Sequence, residues 1–395
     1  MESELLFAKH ILLHVTEENI ITDFCGLVYN VSQFDTMLLE SDTIIYVYGD
    51  METIVIDSNN VNVITDLSIN YSATKYNLIN LGEVPINVHN VGIYFKKLFN
   101  SESDYYTRIT TEHNFQSLTD SDKPGTALRS GIYLSEVIEN NDETMFNLLR
   151  CSTNFTGPTD NFRETDREII DKINYYAGLF FSGPALFNHV LAQSYDNIVT
   201  VAGGVKKQRK AKISKHSDKT KDMPANGLIA FCTFYKNYGI GSFDNYSVNG
   251  FDYCYKNISV LTRLRFCLKS DVTVPLVKQF DVVLYPNSVF IIPLSTNRLY
   301  THEIFPSSLP VDKIPIRMGY VVRCSNVTGV YKNGSMYIRG DQYQDQDYVL
   351  ENATRDGIRV LKELYLKENI TSERVVYDSV LNFSLNSGDY VKPII

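Results

Sequence analysis

Apolar residues in the middle of the chain occur in short runs that are separated by turn-forming residues. Between about residues 195 and 328 these runs are rich in β-branched and aromatic residues, as in LIAFCTFY at 228–235 and VFIIPL at 289–294. Runs of this length that are bounded by Gly, Pro, Asn or Asp are typical of strands. Seven or eight of them in succession predict a β-sandwich or a β-barrel.

The first 160 residues show a more mixed pattern. The runs at 43–50, 53–58 and 60–69 predict strands joined as hairpins, whereas 92–99 and 135–149 favour helices. His10 and His14 stand four residues apart, which fits a metal-binding pair on one helix face. Because no third ligand is near them, we expect an amphipathic surface helix instead. His89 and His113 are isolated, and we expect them to have structural roles.

Three later segments have helical periodicity. Residues 163–181 repeat isoleucines and other apolar residues at helical spacing, 185–193 predict a second short helix, and 355–367 predict a third. The turn-rich stretch 152–160 predicts a linker. We therefore expect an N-terminal α+β region of unknown role at 1–160, a β domain at 161–335, and a C-terminal helical extension at 336–395 that packs on the core. The fold class is predicted to be α+β, mainly β.

Composition places the chain among ordinary globular proteins. Of its 395 residues, 44% are hydrophobic and 21% are charged, and the formal net charge is −9. The beginning lacks the layout of a signal peptide, and no apolar run is long enough to span a bilayer. These features predict an intracellular protein, cytoplasmic or nuclear, without a membrane partner. The six cysteines lack metal-ligand spacing, so free thiols are expected.

Positive charge is concentrated in one segment. The run KKQRKAKISKHSDKTK begins at Lys206 and ends at Lys221, in a chain that is otherwise acidic. The negative net charge argues against a nucleic-acid footprint over the whole molecule. The run itself could contact phosphates, or it could be an edge hairpin that its lysines keep soluble.

His216 and Asp218 lie within this run, two residues apart. Neighbours at that spacing point to the same side of an extended strand, so an imidazole and a carboxylate could converge. His302 follows the apolar run at 289–294 and is a candidate third ligand. Arg317 and Arg323 share one face of a later strand, and burying two guanidinium groups is costly unless anions meet them. This pair suggests a pocket for a dicarboxylate.

The order of these residues resembles the Fe(II)/2-oxoglutarate-dependent dioxygenases, and within them the AlkB-like branch. The family pattern is His-x-Asp, a distal His, and Arg-x5-Arg, here His216-Ser217-Asp218, His302 and Arg317-x5-Arg323. The match covers roughly residues 190–325. The resemblance implies a double-stranded β-helix (jelly-roll) core at 161–335 with flanking helices. It also implies Fe(II), 2-oxoglutarate and O2 as cofactor and cosubstrates.

The resemblance further implies a role for each residue. His216, Asp218 and His302 would be the catalytic metal ligands, a set typical of non-haem iron oxygenases. Arg317 would hold the distal carboxylate of 2-oxoglutarate, and Arg323 would lie near its metal-chelating end. The branch usually has an Asn-x-Tyr pair shortly before the first ligand. Tyr195 and Asn197 are candidates for it if an inserted hairpin separates them from His216.

The resemblance implies an oxidoreductase that hydroxylates a C–H bond, and its substrate stays open. One interpretation is oxidative demethylation of a nucleobase, with phosphates bound by the run 206–221 and bases stacked on Tyr235, Tyr238 or Tyr246. A second is a protein side-chain hydroxylase, which the acidic net charge favours. A third is a non-enzymatic β-rich structural or interaction protein, for example a viral component, in which the motif is accidental.

Overall fold

The fold was analysed in a computed structural model, which describes residues 2–34, 40, 42–54, 56, 60–100, 102–119, 126–151, 155–236, 261–340, 346–377 and 381–395. In chain order the strands are β1 (His10–His14), β2 (Leu27–Asn30), β3 (Ile44–Asp50), β4 (Val61–Ile69), β5 (Asn77–Ile79), β6 (Ile86–Val88), β7 (Gly92–Phe95), β8 (Gln116–Thr119), β9 (Thr126–Ser135), β10 (Val137–Asn140), β11 (Glu143–Asn147), β12 (Asp160–Asn161), β13 (His189–Tyr195), β14 (Ile198–Ala202), β15 (Val205–Arg209), β16 (Ile213–His216), β17 (Leu228–Tyr235), β18 (Arg263–Leu268), β19 (Gln279–Val283), β20 (Ser288–Pro293), β21 (Tyr300–Phe305), β22 (Arg317–Arg323), β23 (Val327–Lys332), β24 (Ser335–Gly340) and β25 (Tyr348–Val349). The α-helices are α1 (Tyr105–Glu112), α2 (Glu164–Phe180), α3 (Leu294–Leu299) and α4 (Arg355–Ile370). This mainly-β composition confirms the predicted α+β class.

The N-terminal strands form a parallel sheet in the order β2-β1-β3-β4-β5. The hairpins predicted between residues 43 and 69 are therefore wrong, because β3 and β4 pair in parallel. The surface helix predicted around His10 and His14 is also wrong, since both side chains are buried in strand β1. A spacing of four places two residues on one face of a strand as well as of a helix, so the spacing alone could not separate the two.

Two larger antiparallel arrangements occupy the middle of the chain. One sheet contains the path β12-β9-β13-β22-β17-β20-β7-β6, with β8 paired to β9, and the other has the order β16-β21-β18-β19. Side chains from both sheets share one apolar core, in which Phe266 contacts Phe231 and Phe290 edge-on and stacks on Phe280. The cavity described below opens between these two sheets.

Three predicted helices are strands instead. Residues 92–99 contain β7, residues 135–149 contain β10 and β11, and residues 185–193 run into β13. Strands β7 and β13 are buried along their whole length, and a continuous apolar run of that kind fits a buried strand as well as a helix. The helices predicted at 163–181 and 355–367 are confirmed as α2 and α4.

The C-terminal part combines strands with α4. Strands β23, β24 and β25 form a sheet with β10 and β11 in the order β10-β11-β23-β24-β25. Strands β6, β7 and β9, which come from the first 160 residues, lie in the large sheet together with β13 and β22. The domain boundaries at 160 and 335 stay predictions. The predicted linker lies partly outside the described residues, which omit 152–154.

The expectations for membrane-spanning segments and for the cysteines can be compared with the structure. Among the described residues, each helix is too short or too polar to cross a bilayer. The five cysteines in the described part of the chain are free thiols, as expected: Cys25, Cys151, Cys232, Cys267 and Cys324.

A buried histidine joins α1 to the start of α2. Nδ1 of His113 lies 2.8 Å from Asp160 Oδ2, and its Nε2 lies 2.8 Å from Asp166 Oδ2. The Tyr320 hydroxyl donates to the other oxygen of Asp166. Burial alone would lower the pKa of His113, but the hydrogen bonds and charges of the two carboxylates outweigh it and raise the pKa to about 9. His113 therefore has the structural role that its isolation in the sequence suggested.

We predict that this histidine gives the protein a pH-dependent stability. A pKa raised from 6.5 to about 9 stabilises the folded state fully below pH 6.5, and the contribution is lost as the pH rises through 9. At about 1.4 kcal/mol per pKa unit, the loss is roughly 3 kcal/mol. Urea unfolding between pH 6.5 and 9.5 should show it in the wild type and not in His113→Gln. A constant difference between the two proteins over this range would contradict the prediction.

Candidate metal and anion site

The five residues singled out from the sequence line one cavity of about 850 Å³. Its walls come from β13, β17 and β22 of the large sheet and from β16, β18 and β21 of the four-stranded sheet. The predicted residues on these walls are His216, Asp218, His302, Arg317 and Arg323. The fold thus brings together residues that are more than 80 positions apart in sequence.

Strand pairing places the two histidines side by side. In the antiparallel pair of β16 and β21, His216 lies directly opposite His302, and their ring centroids are 4.5 Å apart. Residues opposite one another in such a pair project from the same face of the sheet. His302 is buried and packs edge-on against Phe231 from the facing sheet. Asp218 follows two residues after β16 ends.

Both imidazoles approach the same carboxylate oxygen. Nε2 of His216 is 3.6 Å from Asp218 Oδ1, and Nε2 of His302 is 3.7 Å from that oxygen. These distances exceed those of N–H···O hydrogen bonds. Two ligand atoms about 2.1 Å from one ion lie roughly 3.0–3.6 Å apart, which is close to the observed spacing. The three side chains therefore form a group that could surround one metal ion.

The protonation states suit metal ligands, which must be deprotonated. Nδ1 of His216 donates to the Ser214 carbonyl oxygen at 2.8 Å, so Nε2 is the ring nitrogen that faces Asp218 and could bind a metal. Burial, helped by the charges of His216 and Arg323, lowers the pKa of His302 to about 3. Burial opposes the charge on Asp218, but Arg323 and the two histidines hold its pKa well below the usual value. Two imidazoles and a carboxylate are a donor set that Fe(II) accepts.

Arg323 fixes the orientation of Asp218. Its Nε and Nη2 donate to Oδ2 of Asp218 at 2.9 and 2.8 Å, so Oδ1 is left to face the histidines. The backbone of Asp218 is held separately by the side chain of Asn297, on α3. The Asp218 N–H donates to Oδ1 of Asn297, and Nδ2 of Asn297 donates to the Asp218 carbonyl. Both groups of contacts are buried.

The two arginines line the cavity, and each has a buried donor without a hydrogen-bond partner among the described residues. Arg317 is 5% exposed and Arg323 is 6% exposed, and these donors are Nη2 of Arg317 and Nη1 of Arg323. The Arg317 guanidinium lies 4.1 Å from the ring centroid of Tyr195. A Cβ atom at Gly319 would come within 3.2 Å of both side chains, so glycine leaves room for this stacking. A buried pair of cationic donors is suited to an anion with two acidic groups.

The proposed Asn-x-Tyr pair has a mixed outcome. The inserted hairpin exists, because β14 and β15 lie between Tyr195 and His216. Tyr195 lines the cavity, and its hydroxyl donates to Gln193, another lining residue. The side chain of Asn197 instead accepts a hydrogen bond from the backbone of Ala211.

The basic run divides into two parts. Strand β15 is exposed along its length, and Arg209, Lys210, Lys212 and Lys215 line the cavity beside the histidines. Lys219 and Lys221 are buried, so they do not belong to a basic surface. Asn297, Asn369 and Lys219 form hydrogen bonds around the candidate ligands. These contacts were missed in the sequence, because hydrogen bonds between a side chain and a distant backbone group leave no periodic signal.

One of the three tyrosines expected to stack bases lies in the described part of the chain. Tyr235 is buried, and its hydroxyl donates to the carbonyl of Leu284, so its expected stacking role is wrong. Tyr238 and Tyr246 lie outside the described residues.

Comparisons with known proteins give limited information. No protein-family model and no curated protein matches the chain. Among solved structures, OsALKBH1 is similar over 61% of this chain and 99% of its own, with 12% identity and a TM-score of 0.35. The selenomethionine-labelled Fe(II)/α-ketoglutarate-dependent dioxygenase TqaL is similar over 58% of this chain and 74% of its own, with 8% identity and a TM-score of 0.23. Both TM-scores are low, so these similarities do not assign a function, and the support for one is the geometry of the site.

We predict strong energetic coupling between Arg323 and Asp218. Removing one partner of a buried ion pair leaves an uncompensated charge, which costs about 3–5 kcal/mol. Arg323→Met and Asp218→Asn should each lower the free energy of unfolding of metal-free protein. The double variant should lose clearly less than the two losses added together, measured by urea denaturation. Additive losses would show that the pair is not coupled.

Proposed function

We propose that the chain is an Fe(II)- and 2-oxoglutarate-dependent dioxygenase that hydroxylates a C–H bond. One observation carries the proposal: His216, Asp218 and His302 converge on one point, in a cavity where two buried guanidinium groups have unused donors. Metal ligands alone would fit many ions, and arginines alone would fit many anions. Their combination fits a metal that binds together with a dicarboxylate.

The proposed core is a double-stranded β-helix. Its support is that successive strands from β16 to β22 alternate between the two sheets, except for the β18–β19 hairpin, which lies within the smaller sheet. Strands β13, β17, β20 and β22 lie in the large sheet, and β16, β18, β19 and β21 lie in the smaller one. The histidines on β16 and β21 and the arginines on β22 line the same cavity, as this core would require.

Each residue has a role in this proposal. His216, Asp218 and His302 would hold Fe(II), which together with 2-oxoglutarate and O2 would supply the oxidant for hydroxylating the substrate, with succinate and CO2 as the other products. Arg317 binds the distal carboxylate of 2-oxoglutarate while Tyr195 supports its guanidinium plane. Arg323 keeps Asp218 charged and oriented, and its Nη1, which has no partner in the described part of the chain, would be available to the other end of the cosubstrate.

We predict that purified protein releases succinate from 2-oxoglutarate when Fe(II) and O2 are supplied. His216→Ala and Asp218→Ala should abolish release, since each removes a ligand. Arg317→Ala should raise the KM for 2-oxoglutarate by about 10–100-fold, because a hydrogen bond to a charged group contributes about 1.5–3 kcal/mol. Arg359→Ala is the matched control, since this arginine is exposed on α4. Full turnover by the ligand variants would exclude the proposed site.

For the substrate we propose a modified base in single-stranded nucleic acid. Strand β15 carries Lys206, Lys207 and Arg209 on an exposed hairpin, and Arg209 lies at the cavity itself. This places cations where the backbone of an entering strand would lie, although the chain as a whole is acidic. A protein side chain is the alternative substrate, which the net charge of −9 favours.

We predict salt-dependent binding of single-stranded DNA. Each phosphate contact contributes about −0.7 to the slope of log K against log salt concentration. Replacing Lys206, Lys207 and Arg209 with alanine should therefore reduce the steepness of the slope by about 2. The control replaces three exposed α4 cations, Arg355, Arg359 and Lys362. A wild-type slope near zero would contradict nucleic-acid binding and leave the protein substrate.

A further inference from the structure

The loop that carries Asp218 is held on its outer side by the last turns of α4. Asp218 lies beyond the end of β16, so no strand pairing fixes its backbone. Hydrogen bonds from Asn297, on α3, hold the two backbone polar groups of Asp218. The residues on either side of Asp218 depend on a different element, helix α4, which lies about 150 positions later in the sequence.

Asn369 accepts two hydrogen bonds from this loop with one oxygen. The backbone N–H of Ser217 donates to Asn369 Oδ1 at 2.9 Å, and the ammonium of Lys219 donates to the same oxygen at 2.7 Å. Both donors belong to the immediate neighbours of Asp218. The first contact holds the backbone just before Asp218, and the second holds the side chain of the residue just after it.

Lys219 connects the loop to the helix end. It is buried, and its ammonium also donates to the carbonyls of Ser217 and Tyr365, each at 3.0 Å. Lys269 donates to the carbonyls of Glu368 and Thr371 at the same helix end. Cations at the C-terminus of a helix are favoured by the helix dipole and satisfy its last carbonyls. The helix end is therefore a fixed support for the loop.

A third contact extends the attachment by one residue. Oε1 of Glu368 accepts hydrogen bonds from the backbone N–H of Thr220 at 3.1 Å and from its hydroxyl at 2.5 Å. Ser217, Lys219 and Thr220 are thus all bound to α4. Asp218 between them is bound to α3 and, through its side chain, to Arg323 on β22.

We propose that Asn369 is a positioning residue for the metal-binding carboxylate of Asp218, and that α4 is thereby part of the metal site. The inference rests on the proposed function, since it assumes that Asp218 binds a metal ion. Asn369 does not touch the ion; it acts through the backbone of Ser217 and the ammonium of Lys219. Groups that orient metal ligands in this way typically contribute 10–100-fold to metal affinity.

Mn(II) binding to metal-free full-length protein, followed by electron paramagnetic resonance without 2-oxoglutarate, tests this inference. Asn369→Leu removes the shared acceptor and should raise the Kd for Mn(II) by about 10–100-fold. Asn369→Asp keeps an acceptor oxygen for both donors and should stay within about threefold of the wild type. Rescue by the aspartate would separate positioning from a general need for a well-packed helix.

Two further variants complete the experiment. Tyr365→Phe is the matched control, because it removes the hydrogen bond from α4 to the Arg150 carbonyl and leaves the loop contacts in place. It should lower the free energy of unfolding without changing the Kd. Asn369→Gln keeps the amide but displaces it by one methylene, so it should weaken Mn(II) binding even if Asn369→Leu does not fold.

The outcomes separate the two claims. Wild-type affinity in both Asn369→Leu and Asn369→Gln would overturn the role of Asn369 while the metal site itself stands. An equal loss of affinity in Tyr365→Phe would also overturn it, since the effect would then follow helix stability. Failure of the wild-type protein to bind Mn(II) would overturn the metal site and this inference together.

Discussion

The site depends on keeping one buried carboxylate ionised with one of its oxygens unused. Asp218 is almost completely buried, and burial by itself favours the protonated form of a carboxyl group. Arg323 resolves this conflict by donating two hydrogen bonds to Oδ2, which fixes the charge and directs Oδ1 toward the histidines. A buried pair of this kind is costly to form and costlier to break, so its presence in the core points to a functional constraint.

The groups around this carboxylate come from four parts of the fold: the β16–β21 pair, β22, α3 and α4. The pairing of β16 with β21 places His216 opposite His302, and β22 supplies Arg323. Helix α3 holds the backbone of Asp218, and α4 holds the residues on either side of it. The geometry therefore depends on elements that lie far apart in sequence, and α4 contacts the neighbours of Asp218 without touching the candidate ligands themselves.

Much of the core could be predicted from the sequence because short apolar runs between turns have few alternatives. The two long amphipathic helices were predicted for the same reason. The N-terminal parallel sheet was not, because β1 and the middle of β3 are buried without interruption and lack the alternation that identifies a half-exposed hairpin strand. Likewise, His10 and His14 share a face in either a helix or a strand.

The site shows the same division. Five candidate residues could be named because residue type and spacing carry chemical information, and the structure places all five in one cavity. That these residues bind a metal ion and 2-oxoglutarate stays a prediction. Asn297 and Asn369 could not be found in this way, since each acts through hydrogen bonds to a distant backbone and Asn is common in this chain. The basic run was overestimated because charge in a sequence does not reveal that Lys219 and Lys221 are buried.

The most direct test is a crystal structure of the protein grown anaerobically with Mn(II) and 2-oxoglutarate, with diffraction data collected on both sides of the manganese absorption edge. If the three side chains bind one metal ion, we expect one anomalous peak about 2.0–2.2 Å from Nε2 of His216, Oδ1 of Asp218 and Nε2 of His302. We also expect a 2-oxoglutarate carboxylate against Arg317. No peak within reach of these three atoms, at saturating metal, would contradict the central claim.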